Sequence, residues 1–443
     1  MIYYGILTAL LSTLFGQFFR FEIAGGAILF LDIFLPLLFF SWCIKIILQK
    51  KNIWKEMKQF PLFFEGIIIL VIFLLSLLIA GIDLNINEFL TSGFYLFRYT
   101  FLFLFSVITY SEYSNFSKNL QGTKQIFFIK LIIFIAVILS ILGFLQLFLY
   151  PDFRAMAEKG WDPHIGRLLS TWFDPNFLGS FFSFVLSILA GIFGVYTKKH
   201  PILSLNFSNN SKNFKKYYNK KITIFFIIIT LLLLIALLLT YSRSALLAFV
   251  LPTFILGIIY FRGLLLTLSF AIILLLPFSP RATERITDGI NSAISVTKTD
   301  ALFMPDPTAR LRVENMQQGL KLASEHFWTG IGFNTIRLYK SQNIHSSGGF
   351  DSSLLTTLTT SGIFGLIAFL YFYFRLTVKL LWKSREYKNS TILYGATVGF
   401  LASFLGFFAQ SFFINSLFYS LFIIFIFGLS GVVLSKQHEL CEI

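Results

Sequence analysis

Long apolar runs, separated by short polar connections, make up most of this 443-residue chain. The runs have the roughly 17–25 residues that a helix needs to cross a bilayer, and they lack the alternating pattern of transmembrane β-strands. Because backbone polar groups in lipid must be bonded within a helix or a closed barrel, the pattern predicts an all-α, polytopic bundle of about twelve spans. The predicted spans are 3–19, 26–48, 61–81, 89–110, 126–149, 175–196, 222–240, 244–261, 263–278, 352–374, 391–412 and 415–435.

A single long polar stretch interrupts this pattern. Loops of such length without signs of disorder are uncommon and are usually functional. We therefore expect three parts: nine spans with an outer loop at 150–174, a large extracytoplasmic loop that contains short helices, and three further spans with a short tail. Their boundaries are 1–278, 279–350 and 351–443.

Part of the large loop is predicted to form an amphipathic helix within residues 308–336, opened by Asp306-Pro307-Thr308. Gly330 and Gly332 are expected to end it in a tight turn. The apolar positions at near-helical spacing are Leu311, Met316, Leu320 and Leu322.

Composition and charge support the same class of protein. The chain is 56% hydrophobic and 13% charged, whereas soluble domains are about 25% charged. Its net charge of +15 comes largely from lysine-rich loops at 50–58, 198–221 and 375–388, which share one side if both termini are cytoplasmic. Lysines in that position face anionic lipid, so the charge does not require a nucleic-acid partner.

The segment at 166–182 combines a helix entry with two residues that suit substrate binding. Asp174, followed by Pro175, is typical of a helix N-terminus, and we interpret Asp174 as a cap. Arg167 and Trp172 are not needed for that cap. An arginine can hold a phosphate through two parallel hydrogen bonds, and a tryptophan can stack on a sugar or sit at the membrane interface.

Further charges lie near the outer ends of predicted spans or inside them. Arg243 lies between two apolar runs, where it either faces a binding cavity or extends its charged end to the interface. Asp351 stands where the large loop re-enters the membrane, as a helix N-cap or as a general base beside the arginines. Asp32 and Arg98 fall within early spans, and we expect them to pair in the bundle.

Taken in order, these segments resemble the O-antigen ligase/O-antigen polymerase family. In that family an Arg-containing helix precedes a G-x-G turn, a polar pair and a G-x-x-G re-entry helix. The corresponding residues here are Arg312, Gly330-Ile331-Gly332, Asp351-Ser352 and Gly362-Ile363-Phe364-Gly365. Asp351 stands where many ligases have a histidine, and His345 lies six residues earlier.

The resemblance implies an enzyme of the bacterial cytoplasmic (inner) membrane with a polyprenyl (undecaprenyl) diphosphate-linked glycan as donor and a glycan or lipid-linked acceptor. It implies an inverting transfer without a metal or cofactor, with membrane lipid around the polyprenyl tail. The expected catalytic residues are Asp351, Arg312 and Arg243. The expected substrate-binding residues are Arg167, Trp172, Arg310, His345 and Arg98.

Several functions remain open from sequence alone. The aspartate in place of histidine favours a polymerase for O-antigen, capsular or exopolysaccharide glycan over an O-antigen ligase that acts on lipid A core. A transporter or flippase of lipid-linked sugars would have a similar size, but it would more naturally show paired halves with broken helices. A non-catalytic scaffold would not explain arginines in four separate segments.

Overall fold

The computed structural model describes residues 1–23, 26–159, 161–199, 220–259, 307–339 and 349–436. Its helices are α1 Ile2–Leu11, α2 Phe30–Leu48, α3 Ile53–Met57, α4 Phe63–Ala80, α5 Ile86–Ser114, α6 Lys118–Leu149, α7 Pro175–Lys199, α8 Lys220–Leu239, α9 Arg243–Ile259, α10 Pro307–Glu325, α11 Ile336–Tyr339, α12 Ser353–Glu386, α13 Thr391–Gln410 and α14 Ser420–Leu434. Short 3₁₀ segments lie at Ser12–Leu14, Arg154–Lys159, Ser170–Trp172 and Ser416–Phe418. An antiparallel hairpin joins β1, Phe21–Ile23, to β2, Gly26–Ile28.

The all-α, polytopic prediction is confirmed for the part of the chain described. Seven helices are long and apolar enough to cross a membrane: α2, α4, α5, α6, α7, α12 and α13. Four shorter apolar helices begin at Ile2, Ile224, Arg243 and Ser420. The seven long helices lie at seven of the twelve predicted spans, and the four shorter helices lie at four others without reaching spanning length. The remaining span, 263–278, and much of the large loop, 279–306 and 340–348, lie outside the described residues.

Contacts between helix ends divide the bundle into two faces. One face, here called the lysine face, joins the start of α1 to the end of α5 through Tyr3 and Tyr113, whose ring centroids are 6.0 Å apart. Gln121 of α6 donates to Ser435 after α14 on this face, and Lys45 contacts Glu112 at 2.5 Å. Both ends of the described chain therefore lie on the same side of the bundle.

The opposite face, here called the loop face, collects the polar segments that sequence analysis singled out. Gln17 donates to the hydroxyl of Tyr419 at 3.0 Å, and the indole of Trp172 donates to the carbonyl of Thr13 at 3.0 Å. The fold thereby brings the segment after α1, the 150–174 loop and the connection between α13 and α14 to one end of the bundle.

Small residues let the central helices approach closely. The span in α7 is 94% buried within the protein. A Cβ built on Gly191 would lie 2.2 Å from the carbonyl oxygen of Gly395, and one on Gly399 would lie 2.4 Å from the carbonyl oxygen of Ser187. Backbones in contact gain dispersion energy where lipid offers no hydrophobic driving force, so these glycines fix α7 against α13.

Two predicted features differ in detail. The second span begins at Phe30 rather than at residue 26, because Gly26–Ile28 pairs with β1. The stripe predicted for α10 is only partly present: Met316 and Leu320 are each 50% exposed, while Leu322 packs against the core and Asn315 and Ala323 are buried. Gly319 lets α10 approach the start of α12, so close packing rather than apolar periodicity decides which face is buried.

Candidate active site

An arginine and an aspartate from separate segments meet on the loop face. Arg312 of α10 places Nε 3.9 Å from Oδ2 of Asp351, just before α12. The side chains are 27% and 44% exposed, respectively, so the pair is open to solvent and to a ligand. The predicted juxtaposition of Asp351 with an arginine is therefore present in the structure.

Asp351 is not the N-cap of α12. That position is held by Ser352, whose hydroxyl accepts from the backbone N–H of Leu355 at 3.1 Å. The same hydroxyl donates to the carbonyl of Ser411 at 2.9 Å, and the N–H of Ser353 donates there at the same distance. The capping interpretation of Asp351 is thus wrong, and its carboxylate is available for other chemistry.

The turn Gly330-Ile331-Gly332 docks onto a break in α12. Gly362 interrupts the helix with φ 65° and ψ −169°, which releases backbone groups from the helical pattern. The N–H groups of Ile331 and Gly332 donate to the carbonyls of Thr359 and Thr360 at 2.9 and 3.0 Å. Such bonds satisfy polar groups that would otherwise be costly to bury in a membrane protein.

Two further bonds complete the junction at this break. The N–H of Ile363 donates to the carbonyl of Phe327 at 2.8 Å. The hydroxyl of Ser76, on α4, donates to the carbonyl of Thr360 at 2.6 Å. The turn after α10, the broken helix and α4 are therefore held together, and this junction fixes α10 relative to Asp351.

The glycines of the two motifs are required by close approach. A Cβ on Gly330, at φ 70°, would lie 2.3 Å from the carbonyl carbon of Thr360. A Cβ on Gly362 would lie 2.1 Å from the carbonyl oxygen of Trp328. Both positions also have positive φ, which side chains other than glycine rarely adopt. Gly330 and Gly362 thus allow the turn after α10 to pack directly against the break in α12.

Arg167 joins the 150–174 loop to the connection between α8 and α9. Its Nε donates to the carbonyl of Thr240 at 2.8 Å, where α8 ends and carbonyls lack helical partners. Its Nη2 donates to Oδ1 of Asn176 at 3.3 Å, and the residue is only 7% exposed. A cationic cap at a helix C-terminus is favourable, so Arg167 has a structural task that the sequence interpretation did not foresee.

This cap sets the position of Arg243. Tyr241, at φ 49°, turns the chain sharply after α8, and Arg243 is the first residue of α9. The side chain of Arg243 is partly exposed on the loop face. Arg167 therefore orients the turn that presents Arg243.

A chain of hydrogen bonds links the Arg167 region to the segment beneath Asp351. Ser180 of α7 donates to the carbonyl of Asn176 at 2.7 Å, and Gln410 of α13 donates to Ser180 at 2.7 Å. Ser416 then donates to the Gln410 side chain at 3.5 Å. Ser353, after Asp351, donates to the carbonyl of Ile414 in the same connection. The sequence did contain a signal for this link, because polar residues interrupt the apolar run at 410–416. The sequence analysis assigned them no role.

Residues 228–370 match the family model described as O-antigen ligase. Over this stretch the chain is similar to the O-antigen ligase family. The matched stretch contains Arg243, Arg312, Asp351 and both glycine motifs, and the resemblance is confirmed. A comparison with curated proteins finds no match to the chain.

The family match and the apolar helices together establish a coarse function. They support a multi-pass bacterial membrane protein of polysaccharide biosynthesis. Arg167 lies before the O-antigen ligase match, yet its bond to Thr240 attaches it to the matched stretch. The site therefore draws on both parts of the chain.

Two of the predicted substrate-binding residues are occupied by protein contacts. Trp172 is fully buried and stacks obliquely on Phe181, with ring centroids 5.3 Å apart. Its ring offers no open face to a sugar, contrary to the expectation for this residue. Arg98 forms two bonds of 2.6 Å with the carboxylate of Asp32, which confirms the predicted pair and commits the guanidinium to that partner.

Asp174 caps α7, as predicted. Its Oδ1 accepts from the N–H groups of Asn176 and Phe177 at 2.7 and 3.2 Å. Burial raises the pKa of Asp174 from 3.8 to about 6, against the lowering effect of these bonds and of Arg167. The nearby carboxylate of Asp162 raises this pKa further. The raised pKa of this capping carboxyl was not foreseen from the sequence.

The remaining predicted site residues lie beyond what the structure describes. Arg310 falls in the first turns of α10, but its side chain is outside the described part. His345 is outside the described residues altogether. Within the described ranges, no group of three His, Cys, Asp or Glu side chains is arranged to hold a metal ion.

Proposed function

We propose that the protein is a membrane glycosyltransferase that extends a polyprenyl-diphosphate-linked glycan at the outer face of the cytoplasmic membrane. The observation that carries the proposal is the open Arg312–Asp351 pair, with Nε and Oδ2 3.9 Å apart. In this proposal Arg312 is the cation for a leaving diphosphate and Asp351 the carboxylate for an attacking hydroxyl. The proposal rests also on the family match to an O-antigen ligase domain.

The arginines supply charge for the leaving group. Arg312 and Arg243 bind the diphosphate of the donor, and Arg310 adds charge from the same helix as Arg312. Guanidinium groups bind phosphate oxygens through paired, charge-assisted hydrogen bonds. Their contribution grows as negative charge develops on the departing diphosphate, so they stabilise the transition state more than the ground state. Arg167 acts by positioning Arg243.

Asp351 serves as the general base. The acceptor hydroxyl attacks the anomeric carbon, and its proton passes to the Asp351 carboxylate. A new glycosidic C–O bond forms as the bond to the diphosphate oxygen breaks, and polyprenyl diphosphate leaves with the electron pair. A single displacement of this kind inverts the anomeric centre. His345 is the second candidate for the base.

The loop face is proposed to be extracytoplasmic. The lysine-rich segments near residues 50–58 and 375–388 belong to the opposite side in the predicted map, and cytoplasmic loops are enriched in Lys and Arg. Both termini are then cytoplasmic. Labelling of Ala157→Cys and Lys51→Cys variants in intact cells with an impermeant thiol reagent checks this, since both positions are exposed. Position 157, in the outer loop, should react directly, and position 51 only after permeabilisation.

Polymerase and ligase activities differ in the acceptor. We favour a polymerase for O-antigen, capsular or exopolysaccharide glycan because Asp351 replaces the histidine found in many ligases. An O-antigen ligase that transfers to lipid A core is the alternative. With lipid-linked glycan as the sole substrate, a polymerase produces longer lipid-linked chains, whereas a ligase produces none until its separate acceptor is added.

The experiment that tests the function uses purified protein in lipid nanodiscs with the lipid-linked glycan of its own cells. Arg312→Ala and Arg243→Ala should each lower glycan extension at least 100-fold, an effect typical of lost transition-state stabilisation, about 10²–10³. Arg154→Ala is the matched control, since Arg154 lies in the outer loop and is 65% exposed. Normal extension by both site variants would refute the proposed role of the arginines.

A further inference from the structure

Two asparagine side chains lie beside the segment that carries Asp351, and each has a buried amide oxygen in need of a donor. Asn315 of α10 is only 6% exposed. Its Oδ1, and that of Asn415, are buried without a hydrogen-bond partner in the described part of the chain. Buried polar atoms of native proteins are nearly always bonded, so an orphaned acceptor calls for an explanation.

The position of Asn315 follows from its neighbours on α10. Arg312, Asn315 and Gly319 are spaced i, i+3 and i+7, so they share one face of the helix. Arg312 reaches Asp351, and a Cβ on Gly319 would lie 3.2 Å from the Phe350 ring. Asn315 lies between these two contacts and faces the 349–351 segment.

Asn415 approaches the same segment from the connection between α13 and α14. A Cβ on Gly349 would lie 2.8 Å from Nδ2 of Asn415, so the absence of a side chain at Gly349 makes room for the amide. The neighbouring carbonyl of Ile414 accepts from Ser353, which holds this connection against the start of α12. The two amides therefore flank the segment that ends in Asp351.

We infer that Asn315 and Asn415 form a subsite for the hydroxyl groups of a sugar, adjacent to the Arg312–Asp351 pair. An amide oxygen accepts hydrogen bonds and would repel phosphate oxygens, whereas a sugar hydroxyl donates. The arginines have the opposite chemistry and suit the diphosphate. The subsite thus takes the acceptor glycan, and this inference rests on the proposed function.

The test compares Asn315→Ala and Asn415→Ala with Gln318→Ala, a control on the exposed face of α10. Each asparagine variant should raise the acceptor KM about tenfold, the effect of losing one hydrogen bond of about 1.4 kcal/mol, and change kcat less than threefold. Inhibition by inorganic pyrophosphate should be unchanged. The melting temperature should not fall, because removing an unsatisfied buried group relieves a cost. Asn315→Leu serves where the alanine variant folds poorly.

An unchanged acceptor KM in both asparagine variants overturns the subsite. So does an equal weakening of pyrophosphate inhibition, which would place the amides at the diphosphate instead. Binding of the oligosaccharide released from the lipid-linked glycan by mild acid, followed by saturation-transfer NMR, is independent of turnover. A binding signal that is present in wild-type protein and lost in the asparagine variants supports the subsite. If wild-type protein binds the oligosaccharide but transfers no sugar, only the proposed function is refuted.

Discussion

Three arginine–aspartate pairs in this protein differ in their surroundings more than in their chemistry. Arg98 and Asp32, with side chains only 11% and 2% exposed, are joined by two bonds of 2.6 Å. Arg154 and Asp152 pair in the 150–174 loop with side chains 65% and 44% exposed.

The Arg312–Asp351 pair is intermediate in exposure and has the longest separation of the three, 3.9 Å. A buried ion pair stabilises a fold only if its geometry is good enough for the attraction to offset the cost of removing both charges from water. An ion pair exposed to solvent contributes little to stability. In a loose, accessible pair such as this one, the Asp351 carboxylate remains within reach of a ligand. Geometry and exposure, rather than residue type, distinguish a structural pair from a candidate site.

The largest effect is expected from Asp351→Asn. An amide cannot accept the acceptor's proton, so turnover should fall by about 10²–10⁴-fold, with the melting temperature unchanged. Turnover is measured as glycan extension by the purified variant, and the melting temperature by thermal unfolding. Asp152→Asn is the matched control. Near-normal turnover would remove Asp351 as the base and direct attention to His345.

Breaking the closed pair should instead affect the fold. Arg98→Leu leaves the Asp32 carboxylate buried without its partner, and such changes typically cost about 3–5 kcal/mol of stability. Adding Asp32→Asn should recover most of the loss, because the buried charge is gone. Abundance in membranes and the melting temperature in detergent report the effect. A double variant as unstable as the single one would show that packing, not the charge, is responsible.

The carboxylate of Asp174 extends this comparison. The nearby charge of Arg167 lowers its pKa by less than burial raises it. With its pKa raised from 3.8 to about 6, Asp174 stabilises the fold fully below 3.8, and this contribution is lost as the pH rises through about 6. Asn caps a helix as well as Asp. Asp174→Asn should therefore match wild type near pH 4 and be more stable above pH 6, by about 2–3 kcal/mol. If the melting temperatures of wild type and Asp174→Asn differ by the same amount at every pH in this range, the effect assigned to burial is wrong.

The smallest effect is expected from the exposed pair. Arg154→Ala should change stability by less than about 1 kcal/mol, since surface ion pairs contribute about 0–1 kcal/mol, and should leave glycan extension unchanged. Thermal unfolding measures the stability, and glycan extension by the purified variant measures the activity. A large loss of activity would mean that the outer loop contributes directly to the site.

Sequence reasoning succeeded where one physical constraint dominates. Hydrocarbon thickness sets the length of apolar helices, so most spans were predicted. Charges within apolar runs need partners, which was sufficient to expect Asp32 beside Arg98. Pro175 and its preceding Asp174 follow local capping chemistry, which the structure confirms.

It failed where distant segments decide the contact. Arg167 bonds a carbonyl 73 residues away, and no local pattern predicts such a cap. The buried face of α10 is set by the close approach of Gly319 to Leu355, against the apolar spacing of Met316 and Leu320. The glycine motifs were recognised through a family resemblance, but the break in α12 that they fill follows only from the three-dimensional structure.

The break at Gly362 has a consequence for how the protein responds to its membrane. Transmembrane helices adjust their tilt when hydrocarbon thickness changes. We expect the stretch from Phe364 to Glu386 to tilt about this joint, whereas Ser353 to Ser361 is bonded to the Gly330–Gly332 turn and to the Ser411 region, and Ile363 to Phe327. We expect lipids of different chain length to alter the first stretch and leave the Arg312–Asp351 spacing unchanged, so that one sequence works in bilayers of different thickness.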